Sequence, residues 1–230
     1  MDIVYIHGSS DTAGSFTGFK KYLPQVKTFD LPGFGSSEKP EVVYDKKLFL
    51  NFLKKKITKK SVLIGFSMGG GLAKDFAIAH PNLVEKAYLI GYPLQRSREA
   101  LREALRKKWL ARHYVDKTIW GKILCNNHWV YQWPTVLLVN IFMRPYRYAI
   151  RGWFAHTYQS ILSTTQDYIL KSNPMDVEKI KDKAVIIVGE HDILVDKSLL
   201  PRFKSYVIPG MNHVPFGYEE RVAKIIKDTL

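Results

Sequence analysis

The chain of 230 residues carries 35 lysines and arginines against 21 acidic residues, a formal charge of +14, with 46% hydrophobic residues and a single cysteine, Cys125. That length suits one domain with an insertion, and no run approaches the roughly 18 apolar residues of a membrane-crossing helix. One cysteine excludes an internal disulfide framework, and the chain opens into a strand with no charged, apolar, cleavable leader, so a reducing, cytoplasmic setting is expected.

Residues 2–6 form a first strand that ends in His7-Gly8-Ser9-Ser10. Gly8 permits a bend at the C-terminal edge of that strand, which can turn a backbone N–H toward a site there, and Ser9 is the candidate donor. On the alternative reading His7 is only a polar strand end. Residues 16–23 read as a short helix and 25–29 as a second strand, followed by the loop Asp30-Leu-Pro-Gly-Phe-Gly-Ser-Ser-Glu-Lys-Pro40, stiffened by prolines and turned by glycines. Leu48, Phe49, Phe52 and Leu53 fall at helical spacing within 44–56. The lysines that close this helix, Lys54 to Lys56 with Lys59 and Lys60, complement its dipole as a solvated end.

The chain is organised around 61–73, Ser-Val-Leu-Ile-Gly-Phe-Ser-Met-Gly-Gly-Gly-Leu-Ala. It reads as a buried strand, a sharp turn with glycine two residues to either side of Ser67, and a helix to about His80, which Pro81 ends. A serine at such a tip is exposed on strained backbone. The helix N-terminus behind it favours negative charge developing beside Ser67. A strand over 85–90 comes next, the pattern resumes with strands over 183–188 and 205–208, and a helix over 218–230 closes the chain. Strands alternating with helices predict a parallel sheet covered on both faces.

Between residues 94 and 175 the alternation stops. This stretch holds all five tryptophans and 13 basic against 4 acidic residues, so +9 of the +14 lies there. It reads as several helices, one of them over 96–114 with Leu101, Leu105 and Trp109 on one face and Glu103 paired to Lys107. Some of the aromatics form the insertion's own core; others are expected to roof a pocket over Ser67. The expected organisation is a core of 1–93 and 176–230 with a helical cap over 94–175.

A neutral serine needs an adjacent base and a third group to orient that base. Gly189-Glu190-His191-Asp192 comes after one strand, and Pro209-Gly-Met-Asn-His213 after the last. Ser67, Asp192 and His213 thus each lie just past a strand end, where the loops of open α/β sheets converge. Glu190 and Asp196 are the competing carboxylates. His191 is disfavoured as the base because it adjoins the acid and points the other way along extended chain.

With these residues in hand, the sequence resembles the α/β-hydrolase fold superfamily, in its small, lidded, esterase-like branch. The likeness is carried by His7-Gly8, by Asp30-Leu-Pro-Gly-Phe-Gly-Ser-Ser, by Gly65-Phe-Ser-Met-Gly69, by Gly189-Glu-His-Asp192 and by Gly210-Met-Asn-His213. The resemblance implies a three-layer α/β/α sandwich with a mostly parallel sheet of about six strands and a helical lid. It implies Ser67 as nucleophile, His213 as general base and then acid, and Asp192 as the residue that orients it. The backbone N–H groups of Met68 and Ser9 would form an oxyanion hole, each worth about 3 to 4 kcal/mol in the transition state. The family usually has further strands before the one ending in His-Gly; here that strand starts at residue 2.

A serine nucleophile disfavours the epoxide hydrolase and dehalogenase branches, and few lid acids disfavour ammonium-binding aminopeptidases. The expected substrate is a hydrophobic carboxylic ester, thioester or lactone, cleaved without a cofactor; an acyl-homoserine lactone is one alternative. The rival reading is a hydrolase-fold receptor with little catalysis, whose basic, aromatic insertion makes a weak contact with an anionic membrane surface or a partner. No nucleic-acid motif accompanies the charge.

Overall fold

The structure, a computed structural model, describes residues 1–230. Its sheet has six parallel strands, β1 (Asp2–Ile6), β2 (Lys27–Thr28), β3 (Ser61–Phe66), β4 (Val84–Ile90), β5 (Ala184–Gly189) and β6 (Ser205–Ile208), in the order β2-β1-β3-β4-β5-β6. All residues of β3 and of β5 are buried, which is why they read as continuous apolar runs and not as alternating ones. The chain leaves β1 toward one edge and runs from β3 toward the other. A crevice therefore opens at the carboxyl ends of β1 and β3, where the winding reverses.

Period-two geometry splits the strand side chains between two cores. Val4, Ile6, Leu63 and Leu89 face helices α1 (Lys46–Lys56) and α2 (Met68–Ala79), together with Phe49, Leu53, Leu72 and Phe76. Ile3, Tyr5, Val62 and Ile64 face the other side, where Phe16, Phe19, Val222 and Ile226 come from a 3-10 turn over Ala13–Phe19 and the C-terminal helix Glu219–Thr229. Burying each such aliphatic or aromatic side chain contributes about 1.5 to 3 kcal/mol against its exposed state. The helix expected over 16–23 is thus a tighter turn that starts earlier, because the Thr12 side chain accepts the Gly14 N–H and fixes its start. The second strand shrinks to two residues at the edge of the sheet, where β1 is its sole partner.

The stretch between β4 and β5 contains α3 (Arg98–Arg106), α4 (Trp109–Val115), α5 (Ile119–Asn126), α6 (His128–Phe142), α7 (Ile150–Trp153) and α8 (Tyr158–Ser163), which makes the C-terminal helix α9. The single helix expected over 96–114 is broken at Lys107 and Lys108. The turn lets α4 bury His113, Tyr114 and Val115, with Tyr114 in the main core, and Arg106 reaches Glu103 at 2.6 Å and Asp116 at 2.8 Å across it. Glu103 therefore pairs with Arg106 and not with Lys107, and Trp109 leaves the face that buries Leu101.

The tail of this stretch belongs to the main core. Ile161 and Tyr168 pack with Leu72 and Phe76. Lys74, wholly buried on α2, donates to Ser172 Oγ at 3.0 Å and to the Asn173 carbonyl at 2.9 Å, while Tyr168 donates to Asp75 at 3.1 Å. Burial lowers the pKa of Lys74, and the neighbouring Asp75 charge opposes that shift. Lys46 completes the cluster at 2.9 Å from Asp75.

Candidate active site

Ser67 joins β3 to α2 with φ 52° and ψ −114°, a left-handed conformation that side chains rarely adopt. Its N–H donates to the Ile90 carbonyl at 2.8 Å, and its carbonyl accepts the Gly70 N–H at 3.0 Å, so the turn is held from both sides. Glycine is required at its flanks for space. A Cβ on Gly65 would lie 2.3 Å from the Gly69 carbonyl oxygen, and one on Gly69 would lie 2.1 Å from that of Ile6.

Two further loops bring their side chains to this tip. Beyond β5, Asp192 is fully buried, and its Oδ1 accepts the Leu194 N–H at 2.9 Å. Beyond β6, the His213 loop is stitched to it by the His191 N–H donating to the Met211 carbonyl at 2.9 Å. His213 Nδ1 lies 2.9 Å from Asp192 Oδ2, and its Nε2 lies 2.9 Å from Ser67 Oγ. With the carboxylate accepting from Nδ1–H, the Nε2 lone pair is free to accept the serine proton. The competing groups are elsewhere. Glu190 accepts the Gly210 N–H, Asp196 caps the turn over Lys197–Arg202 and pairs with Arg96, and His191 is exposed beside Glu190.

The loop after β1 forms the facing wall. His7 is buried and fully bonded, with Nδ1 2.7 Å from the Gly8 carbonyl and Nε2 accepting the Leu31 N–H at 2.9 Å. Burial lowers its pKa to about 4, so the ring is neutral and pins two loops together; it is more than a polar strand end. Ser9 and Met68 both line the cavity in front of Ser67. Met68 opens α2, so its N–H has no carbonyl one turn back to bond.

That cavity has a volume of about 740 Å³, and 19 of its 29 lining residues are hydrophobic. The insertion supplies Trp109, Val139, Met143 and Trp153 to its wall; all five tryptophans are exposed to solvent in part, and Trp120, Trp129 and Trp133 do not line the cavity. Two polar groups of the wall went unseen in the sequence: Asp11 Oδ2 and His156 Nδ1 are buried without a hydrogen-bond partner. Asp11 lies four residues after His7 in a loop of small polar residues, a context that resembles an ordinary turn. Only its burial under α7, whose Gly152 packs against the Asp11 backbone, distinguishes it.

Burial pushes the Asp11 carboxyl up to about 7 from an ordinary 3.8. Because the folded value is the higher one, this group favours folding most below the unfolded value, and the contribution is lost as pH rises toward about 7. His7 and His156, both lowered to about 4 by burial, act oppositely: their contribution is present above 6.5 and is lost as pH falls toward 4. A comparison with Asp11→Asn isolates the first effect, since the amide mimics the protonated acid. Denaturant titration should show the variant gaining on the wild type by up to about 4 kcal/mol between pH 4 and 8. A gap that does not change with pH would contradict the buried ionisation.

The model of the alpha/beta hydrolase family matches residues 3–225 of this chain. An uncharacterised hydrolase of Bacillus subtilis (strain 168) is 31% identical over 139 residues, covering 51% of this chain and 50% of that protein. An uncharacterised protein of Mycobacterium tuberculosis is 32% identical over 95 residues, 38% of this chain and 28% of that protein. The chain thus spans about half the length, or less, of these curated relatives. Among solved structures, a thermophilic esterase from Thermogutta terrifontis superposes with a TM-score of 0.73 at 17% identity, over 99% of this chain and 88% of that one. An enol-lactonase from Burkholderia xenovorans LB400 gives 0.66 at 18% identity, over 98% and 89%. At such identities the likeness is one of fold.

Proposed function

The chain belongs to the alpha/beta hydrolase family, and from that premise we propose that it hydrolyses carboxylic esters of hydrophobic acids through an acyl-enzyme on Ser67. The observation that carries this reading is the Ser67, His213 and Asp192 chain, with both contacts at 2.9 Å, opening into a largely apolar cavity. His213 Nε2 takes the proton as Ser67 Oγ adds to the ester carbonyl. The resulting imidazolium is stabilised by Asp192. The N–H groups of Met68 and Ser9 receive the oxyanion; its collapse breaks the bond to the alcohol, which leaves with the proton from His213. Water then repeats the sequence on the acyl-enzyme and frees the acid. Helices α3 to α7 act as the lid, with Trp109, Val139, Met143 and Trp153 against the acyl chain. A lactone is an ester whose alcohol stays attached, so the same steps open it.

A series of p-nitrophenyl esters from acetate to decanoate, with an acyl-homoserine lactone alongside, tests this. Each methylene buried in the cavity should raise kcat/KM about fourfold, from about 0.8 kcal/mol per CH₂, until the chain outgrows it. A flat profile would remove the acyl chain from the cavity. No turnover of any member by the folded protein would favour the receptor reading, and preference for the lactone would narrow the substrate to that class.

A further inference from the structure

Helix α6 is the least expected element of the insertion. From His128 to Met143 it carries no charged residue, yet Val139 is the sole buried side chain of the helix. Trp129, Trp133 and Phe142 are 70%, 81% and 75% exposed, and Leu137, Leu138 and Ile141 are exposed beside them. On α5, Ile119 and Trp120 extend the apolar surface. A continuous face of this kind is uncommon on a monomer in water, where single exposed apolar side chains are the norm.

The charge around this face identifies its occupant. Between Asp116 and Asp167 the chain contains no acidic residue, but it contains Lys117, Lys122, Arg144, Arg147 and Arg151, all exposed. The ion pairs of the insertion use Arg96, Arg106 and Lys171 and include none of these five cations, although Lys117 acts on Asp167 at longer range. Tryptophans and cations bordering an apolar helix face suit the headgroup boundary of a bilayer, where aromatic rings sit at the interface and cations meet anionic headgroups. A second copy of the chain would bring an identical set of cations against this one. Spanning is excluded by length: the 15 residues of α6 reach about 22 Å against a hydrocarbon core of about 30 Å, and no helix is long and apolar enough to cross.

We propose that α5 and α6 form a docking surface for an anionic lipid membrane, lying in its interface with the cavity behind them. The buried side of the same helix supplies Val139 to the cavity wall, and Met143 follows at its end, so docking places the lipid surface about one helix thickness from the reaction centre. The docking does not rest on the catalytic reading, but joined to it the docking narrows the substrates to esters that partition into lipid.

The test is co-sedimentation with vesicles of phosphatidylcholine alone or with 30% phosphatidylserine, using the wild type, Ser67→Ala, Trp129→Ala/Trp133→Ala and Arg144→Gln/Arg147→Gln. The wild type should bind the anionic vesicles at least tenfold more tightly than the neutral ones, and Ser67→Ala should match it. The tryptophan pair should lose tenfold or more while keeping its thermal melt and its turnover of a soluble ester. Each neutralised arginine should cost about fivefold, and salt should erase that difference. Equal binding to both vesicles, or none, overturns the proposal. So does a dimer in sedimentation equilibrium that the tryptophan variant dissolves, since a second copy would then cover the face. Loss of binding in Ser67→Ala alone would make the binding a matter of substrate capture and would also overturn it.

Discussion

Ser67→Ala is expected to lower kcat on p-nitrophenyl esters by about a millionfold, to a residue set by binding and the oxyanion donors alone. The size reflects the cooperation of the three groups. Without Oγ no acyl-enzyme forms, and His213 and Asp192 have no proton to move. Asp192→Asn should fall less far, by about ten-thousandfold, because an amide at that position holds the ring in the wrong tautomer while Ser67 stays in place. The tautomer argument is specific to this geometry: Asp192 Oδ1 already takes the Leu194 N–H, so an amide could turn its NH₂ only toward Nδ1. Burst kinetics in the wild type, absent from both variants, would report the acyl-enzyme. A Ser67→Ala protein that keeps a tenth of the activity would remove Ser67 from the reaction.

Gly69→Ala is expected to destabilise the fold by more than about 3 kcal/mol, a fall of roughly 10 °C in Tm, or to prevent soluble expression. A Cβ there would meet the carbonyl oxygens of Ile6 at 2.1 Å and His7 at 2.6 Å. These are backbone atoms at the end of β1. They cannot retreat without shifting the pairing of Ile6 with Gly65. Gly70→Ala is the milder comparison: its nearest neighbour, the Gly65 carbonyl oxygen, would be 3.3 Å away and must give only by a few tenths of an ångström, a cost set against the up to about 1 kcal/mol by which alanine favours the helix, so a much smaller loss is expected. A wild-type melt for Gly69→Ala would mean that α2 does not press on β1 as described.

The two glycines of the elbow and the three catalytic candidates were legible for a shared reason. Ser67 and Asp192 follow β3 and β5, strands buried on both faces that announce themselves as short apolar runs, as Ala184 to Val188 does, while His213 follows the partly exposed edge strand β6 and was legible from its loop. The loop leaving a strand of a parallel sheet has one place to go, the carboxyl edge where the other loops gather. The break after Arg106 was not legible, because an unbroken helix is the better local solution and only burial of the end of α4, Tyr114 and Val115, against distant segments overrides it. Nothing in the sequence around Lys74 and Asp75 marks them as buried; they are covered because the tail of the insertion folds over them and supplies their partners. Asp11 and the bare face of α6 were hidden in the same way: each depends on what another segment covers or leaves uncovered.

The cluster at Lys74 divides the insertion into parts under different constraints. Removing the partners of a buried charge costs about 3 to 5 kcal/mol, so the tail that carries Tyr168, Ser172 and Asn173 cannot be exchanged without also redesigning α2. The outer helices from α3 to α7 carry no such debt. The outer helices are therefore the easier part to exchange, with Tyr114 and Cys125 as their contacts to the main core, and the seam for a graft lies just ahead of Thr157, whose side chain caps α8 and starts that helix independently.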